Sequence, residues 1–117
     1  MNFKFKKDKT FEERREEFEK VINDQPGKIP IICEKDPNSF IKKIDKTKYL
    51  VDENLSLPQF IATIRKKLDL NEYEALFLLV NGKNVLSQNE TMKNIYTNYK
   101  NKDGFLYFTY STEQVWG

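Results

Sequence analysis

Gly117 closes the sequence behind the polar and aromatic run Ser111-Thr112-Glu113-Gln114-Val115-Trp116. A C-terminal glycine has no Cβ, so its backbone enters a narrow channel and its carboxylate is approachable from either side. Activation of a protein's own C-terminus, first as an adenylate and then as a thioester, requires that access. One glycine alone is weak grounds; it gains weight if a compact domain precedes it. Other reactive groups are few. Histidine is absent, which removes Ser-His-Asp and Cys-His catalysis, His metal ligation and His pH switching. The sole cysteine, Cys33, sits in the apolar run Ile29-Pro30-Ile31-Ile32-Cys33 and cannot form an internal disulfide, which suits a reducing compartment. With no imidazole to activate it, Cys33 is expected to be a buried small hydrophobe. Neighbouring carboxylates such as Glu16 and Glu17 fit a solvated helix face. Glycine occurs only at 27, 82, 104 and 117, so there is no glycine-rich phosphate loop. Neither an enzyme, nor a cofactor, nor a metal site is expected.

The composition allows one domain able to carry such a tail. A chain of 117 residues buries roughly two-thirds of its unfolded surface on folding. Nine Phe and six Tyr supply a core. Lys and Arg number 20 against 18 Asp and Glu, a formal +2, too even for a dedicated nucleic-acid binder. No apolar run approaches the ~18 residues of a membrane span. Met1 to Lys9 alternates Phe with Lys and lacks the apolar centre of a secretory signal.

Thr10 with Glu13 forms a capping box. It opens a helix read over Phe11 to Asn23, with Phe11, Phe18, Val21 and Ile22 on one stripe, ended by Pro26-Gly27. A short amphipathic piece near Phe3 and Phe5 precedes it, either helical or disordered. Lys28 to Glu34 reads as a strand in which Pro30 fits an edge or a bulge. Tyr49-Leu50-Val51 reads as a second strand, reached through Lys42, Lys43, Lys46 and Lys48. Ser56 with Gln59 is another capping box; Leu57, Phe60, Ile61, Ile64 and Leu68 then recur at helical spacing. Leu76 to Val80 is a continuous apolar run, expected to be a central strand covered on both faces. Asn81-Gly82 signals a tight turn. Met92, Ile95, Tyr96 and Tyr99 mark a last helix, and Asp103-Gly104 turns the chain into a strand from Phe105 to Tyr110. This order predicts an α+β fold: a β-grasp, or ubiquitin-like, mixed four-stranded sheet packed on a central helix. The expected organisation is a helical extension over 1–27, the β-grasp over 28–110 and a flexible conjugation tail over 111–117.

Several strings in order go beyond pattern: Phe11-Glu12-Glu13-Arg14-Arg15, Ile29 to Lys35, Lys48-Tyr49-Leu50-Val51, Gln59-Phe60 with Ile64-Arg65-Lys66, Ala75-Leu76-Phe77 with Val80-Asn81, and Gly104 to Tyr107 with Tyr110-Ser111. From about Phe3 to Gly117 the chain closely resembles the autophagy ubiquitin-like modifiers, the family of the GABA-receptor-associated protein and microtubule-associated light chain 3. The resemblance implies a ubiquitin-like fold with two additional N-terminal helices. It implies that Gly117 is activated by an E1-like enzyme, passed to an E2-like enzyme and joined to the amine of phosphatidylethanolamine, with a cysteine protease reversing the link. The expected location is then cytoplasmic, and peripheral on autophagosomal or related vesicle membranes once the lipid is attached.

The resemblance also implies capture of short linear motifs, an aromatic followed three residues later by an aliphatic, in cargo receptors and adaptors. An exposed second strand would take the peptide by β-augmentation while two pockets select its side chains. Residues matching the first pocket are Glu17, Val21, Pro30, Ile32, Lys48, Leu50 and Phe105. Tyr49, Val51, Leu55, Phe60, Thr63 and Ile64 match the second, where Thr63 places a hydroxyl in an aliphatic's usual position: either it lines the pocket as an unpartnered polar spot or it faces solvent. Lys28, Lys46, Lys48 and Lys67 would meet acidic flanks. Leu50, Phe60 and Phe105 equally fit an ordinary core. Two further departures from the family pattern are Asp52, replacing a frequent proline, and Trp116, bulkier than the usual Phe or Tyr. The alternative is a soluble adaptor that binds tubulin or RNA through Lys4, Lys6, Lys7, Lys9, Arg14 and Arg15, with no lipid.

Overall fold

A computed structural model of the protein describes residues 2–82 and 89–112. Trp116 and Gly117, and with them most of the expected tail, lie outside the described residues.

Two helices come first, α1 (Lys4–Asp8) and α2 (Phe11–Asp24). The piece near Phe3 and Phe5 is thus helical. The Thr10 hydroxyl accepts the Glu13 N–H, and the Glu13 carboxylate accepts the Thr10 N–H, so two of α2's open donors are satisfied. Strands β1 (Lys28–Lys35) and β2 (Lys48–Asp52) follow, then α3 (Leu57–Leu68), β3 (Phe77–Val80), α4 (Met92–Tyr99) and β4 (Leu106–Ser111). Ser56 and Gln59 complete the second capping box, at the start of α3.

The four strands form a mixed sheet in the order β2-β1-β4-β3. The β1–β2 and β3–β4 pairs are antiparallel, and the central pair, β1 with β4, is parallel. This corrects the reading of Leu76 to Val80 as a central strand: β3 lies at the end of the sheet order. Its apolar run has another cause, since Leu78 and Val80 pack into the core below α3 while Leu79 is buried as well. β4 is the strand covered on both faces, and all six of its residues are buried.

Pro30 is also interior in the sheet order rather than on an edge. The Cys33 N–H donates to the Thr47 carbonyl at 2.8 Å, which points odd-numbered N–H groups of β1 toward β2. The missing N–H of Pro30 therefore faces β4, whose pairing with β1 begins only at Ile31 with Leu106. No ladder bond is lost there.

Alternation along the strands divides the core in two. Ile29, Ile31, Cys33, Leu106, Phe108 and Tyr110 meet Phe60, Ile64 and Leu68 of α3 and Met92 and Ile95 of α4. On the opposite face Ile32, Phe105 and Tyr107 meet Phe3, Phe5 and Phe18 of the N-terminal segment. Cys33 is buried as expected, and burial pushes its thiol well up from the ordinary range.

Candidate functional site

β2 pairs on one side only among the described residues. Because Cys33 bonds to Thr47, the period of two turns the backbone groups of Tyr49 and Val51 toward β1 and those of Lys48 and Leu50 outward. The open side of β2 therefore offers donors and acceptors at the spacing an added strand requires.

Side chains on the two faces of this edge differ. On the α2 face, Glu17 accepts hydrogen bonds from both Lys9 (2.7 Å) and Lys48 (2.9 Å), bridging α2 to β2. The Lys48 ammonium also stands 5.2 Å from the Phe5 ring centroid, a cation–π distance. Burial pushes the Glu17 carboxyl up, but its hydrogen bonds to Lys9 and Lys48 and their charges outweigh this, leaving it below its ordinary value. Val21 and Leu50 are half-buried, and Pro30, Ile32 and Phe105 are buried. Phe105 is held by edge-on contacts with Phe5 and Phe18. Glu17 is thus a doubly paired, partly buried carboxylate, unlike its exposed neighbour Glu16.

On the α3 face, Tyr49 packs edge-on against Phe60 at 5.7 Å and donates its hydroxyl to the Lys46 carbonyl. The Lys46 and Lys67 ammonium groups lie 5.0 and 5.9 Å from the Tyr49 ring centroid. Val51 and Leu55 are half-buried and border the core, whereas Phe60 and Ile64 are 0% exposed and form the floor beneath them. Thr63 is exposed, and its hydroxyl donates to the Gln59 carbonyl one turn earlier at 3.2 Å, so of the two readings the solvent-facing one fits and the hydroxyl has a partner. Lys28 is half-buried opposite Asp52, at the far end of β2 from Lys48.

Several of the basic N-terminal residues are engaged within the molecule. Arg14 pairs with the buried Asp103 at 2.9 Å and donates to the Lys9 carbonyl. Lys6 donates to Asn101 and stands over the Tyr107 ring, and Lys4 pairs with Asp8. Lys6 and Arg14 thus fasten the helices to the segment before β4, while the Lys4 pair stays within α1 and Lys7 is exposed. Sequence reasoning missed Lys9 and Phe5 at the site because their partners, Glu17 and Lys48, belong to other elements. A groove of about 990 Å³ lies beyond the Lys48 end of β2, between α1 and the β1–β2 connection, with Phe5, Ile44 and Tyr110 in its lining.

A mixed sheet packed on one central helix, preceded by two helices and open along β2, defines a ubiquitin-like protein with a helical extension. Comparison with known proteins narrows the class. Residues 13–117 match the family described as "Autophagy protein Atg8 ubiquitin like". The chain is 40% identical over 114 residues to human microtubule-associated protein 1 light chain 3 gamma, covering 97% of this chain and 78% of that one. It is 41% identical over 118 residues to autophagy-related protein 8 of Schizosaccharomyces pombe, covering 100% and 96%. The crystal structure of Trypanosoma brucei ATG8 superposes with a TM-score of 0.88 at 41% identity, over 95% of each chain. The chain belongs to the Atg8 family of ubiquitin-like autophagy proteins.

Proposed function

We propose that this chain is a modifier joined through Gly117 to phosphatidylethanolamine, and that the open side of β2 recruits cargo receptors and adaptors during autophagosome formation. The observation that carries the recruiting role is the outward backbone of Lys48 and Leu50, bordered by half-buried apolar residues on both faces. An extended peptide bonding there would place alternate side chains on opposite faces of the sheet. Its aromatic meets Leu50, Pro30 and Val21, and its aliphatic meets Val51 and Leu55. Lys46, Lys48 and Lys67 supply positive charge for acidic flanks. In conjugation, the E1-like and E2-like enzymes supply the catalysis, and this chain supplies the acyl group that passes from thioester to lipid amine.

Reconstitution with those enzymes and phosphatidylethanolamine vesicles, read by mass spectrometry, tests the first part; an unmodified chain would refute it. Calorimetry with a motif peptide tests the second. Leu50→Ala is expected to weaken binding by about 1–3 kcal/mol. Lys48→Glu should weaken chiefly acidic peptides, less so at high salt. Unchanged affinity in both variants would move the site elsewhere.

A further inference from the structure

Two large side chains stand almost wholly in water, Phe40 at 94% and Tyr73 at 89% exposed. Sheet topology brings both to one end of the molecule. β1 and β4 run parallel and end together, Lys35 opposite Tyr110. β3 begins at that same end, with Phe77 opposite Ser111. The β1–β2 connection carrying Phe40 and the α3–β3 connection carrying Tyr73 therefore flank the point where β4 delivers the chain to Thr112.

Neither aromatic is exposed by a slack loop. The β1–β2 connection is fastened to β4 by the Asp36 N–H to the Tyr110 carbonyl (2.9 Å) and the Ile44 N–H to the Tyr110 hydroxyl (2.8 Å). Phe40 projects between the buried Ser39 and the half-buried Ile41. Lys42 and Lys43 follow it, both exposed. Around Tyr73, the Asn71 side chain accepts the N–H groups of Tyr73 and Glu74, and Arg65 clamps the carbonyls of Asn71 and Glu74 at 2.7 Å each.

We infer that this end of the sheet is a membrane-contact face, on which Phe40 and Tyr73 enter the interfacial layer of a bilayer and Lys42 and Lys43 meet anionic headgroups. The inference rests on the conjugation reading for its orientation. Residues 113–117 span at most about 18 Å when fully extended, so a lipid on Gly117 holds this end close to the bilayer. At such short tether lengths the effective concentration is high, so a contact that the free chain already makes measurably becomes fully populated. An aromatic beside lysines is the composition that suits the interface, with the ring among headgroups and the charge in water. Glu72 and Glu74 flank Tyr73, so attraction to anionic lipid comes from the Phe40 side.

The full unconjugated chain, sedimented with phosphatidylcholine vesicles with and without phosphatidylserine, tests the face directly. Wild type should bind better when phosphatidylserine is present, and Phe40→Ser should lower the partition coefficient by about tenfold. Reversing Lys42 and Lys43 to Glu should abolish the preference for phosphatidylserine, each lysine accounting for about fivefold. Wild type that does not sediment, or sediments no better than Phe40→Ser, overturns the inference and leaves the face to a protein partner. A second measurement uses the enzymatically conjugated chain carrying a polarity-sensitive fluorophore at Phe40→Cys, Cys33 being too buried to react. Its emission should shift to the blue on vesicles, whereas a label at Asn54→Cys, at the opposite end, should not. Equal emission from the two positions overturns the inference; absence of conjugate refutes the conjugation reading, and the sedimentation result still decides the face.

Discussion

Gly104 is where a single atom decides most. Its φ of +101° lies in the region that favours glycine, and a Cβ placed there would sit 2.4 Å from Cγ of the Phe18 ring. Its N–H donates to the Asn101 carbonyl, and its carbonyl accepts the Tyr96 hydroxyl, so the turn has little room to move. Gly104→Ala therefore combines backbone strain with overpacking and should destabilise the fold by about 3 kcal/mol. Denaturant unfolding checks this; a variant within about 0.5 kcal/mol of the parent would show that α2 shifts freely. Asp103-Gly104 was legible as a turn because its chemistry is local. The Phe18 ring that makes the glycine indispensable was not, since it arrives from α2 and no spacing in the sequence joins them. Thr63 is the opposite case. Its hydroxyl is satisfied inside α3 and its side chain is exposed, so Thr63→Leu should change a motif peptide's dissociation constant by less than about twofold in titration.

At the scale of elements, the question is what holds α1 and α2 on the sheet. Aromatic packing of Phe3, Phe5 and Phe18 on Phe105 and Tyr107 supplies area, and Arg14 supplies position. The Asp103 side chain is 1% exposed and also accepts the Phe105 N–H and the Tyr107 hydroxyl. Arg14→Met should leave that carboxylate buried without its cation and cost about 3–5 kcal/mol. Faster amide exchange confined to α1, α2 and the start of β4 would be the expected signature; exchange unchanged there would refute the anchoring role. The Glu17 bridge adds a pH dependence. Its carboxyl lies below the ordinary 4.5 in the folded protein, so its contribution is present above that pH and is lost as pH falls through the lowered value. Acid should therefore loosen α2 from β2, and Glu17→Gln should flatten that part of the stability profile. Helix starts were legible because capping boxes are read within four residues. Strand positions were less so: the apolar run ending at Val80 has the same composition whether it is central or at the end of the sheet. The candidate site was legible only as strings along the chain. The pairing of Glu17 with both Lys9 and Lys48 depends on three elements meeting.

For the whole molecule, the division of labour is between a sheet closed on both faces and a terminus that carries the proposed chemistry. Among the described residues, both core clusters are built from residues up to Tyr110, and β4 ends at Ser111. Stability and conjugation should then separate. Deleting Gly117 moves the terminal carboxylate to Trp116, whose Cβ and indole flank the carbon that the proposed conjugation would adenylate. A glycine carries no side chain to bury, so losing one removes little packing and unfolding free energy should stay within about 0.5 kcal/mol of the parent. Lipid attachment should stop, because the acyl carbon no longer has the open approach that a glycine gives. Thermal or denaturant unfolding and mass spectrometry of the reconstituted reaction read the two properties independently. A truncated chain that still gained a phosphatidylethanolamine mass would remove Gly117 from the acceptor role. One that failed to fold would show instead that the terminus braces the sheet.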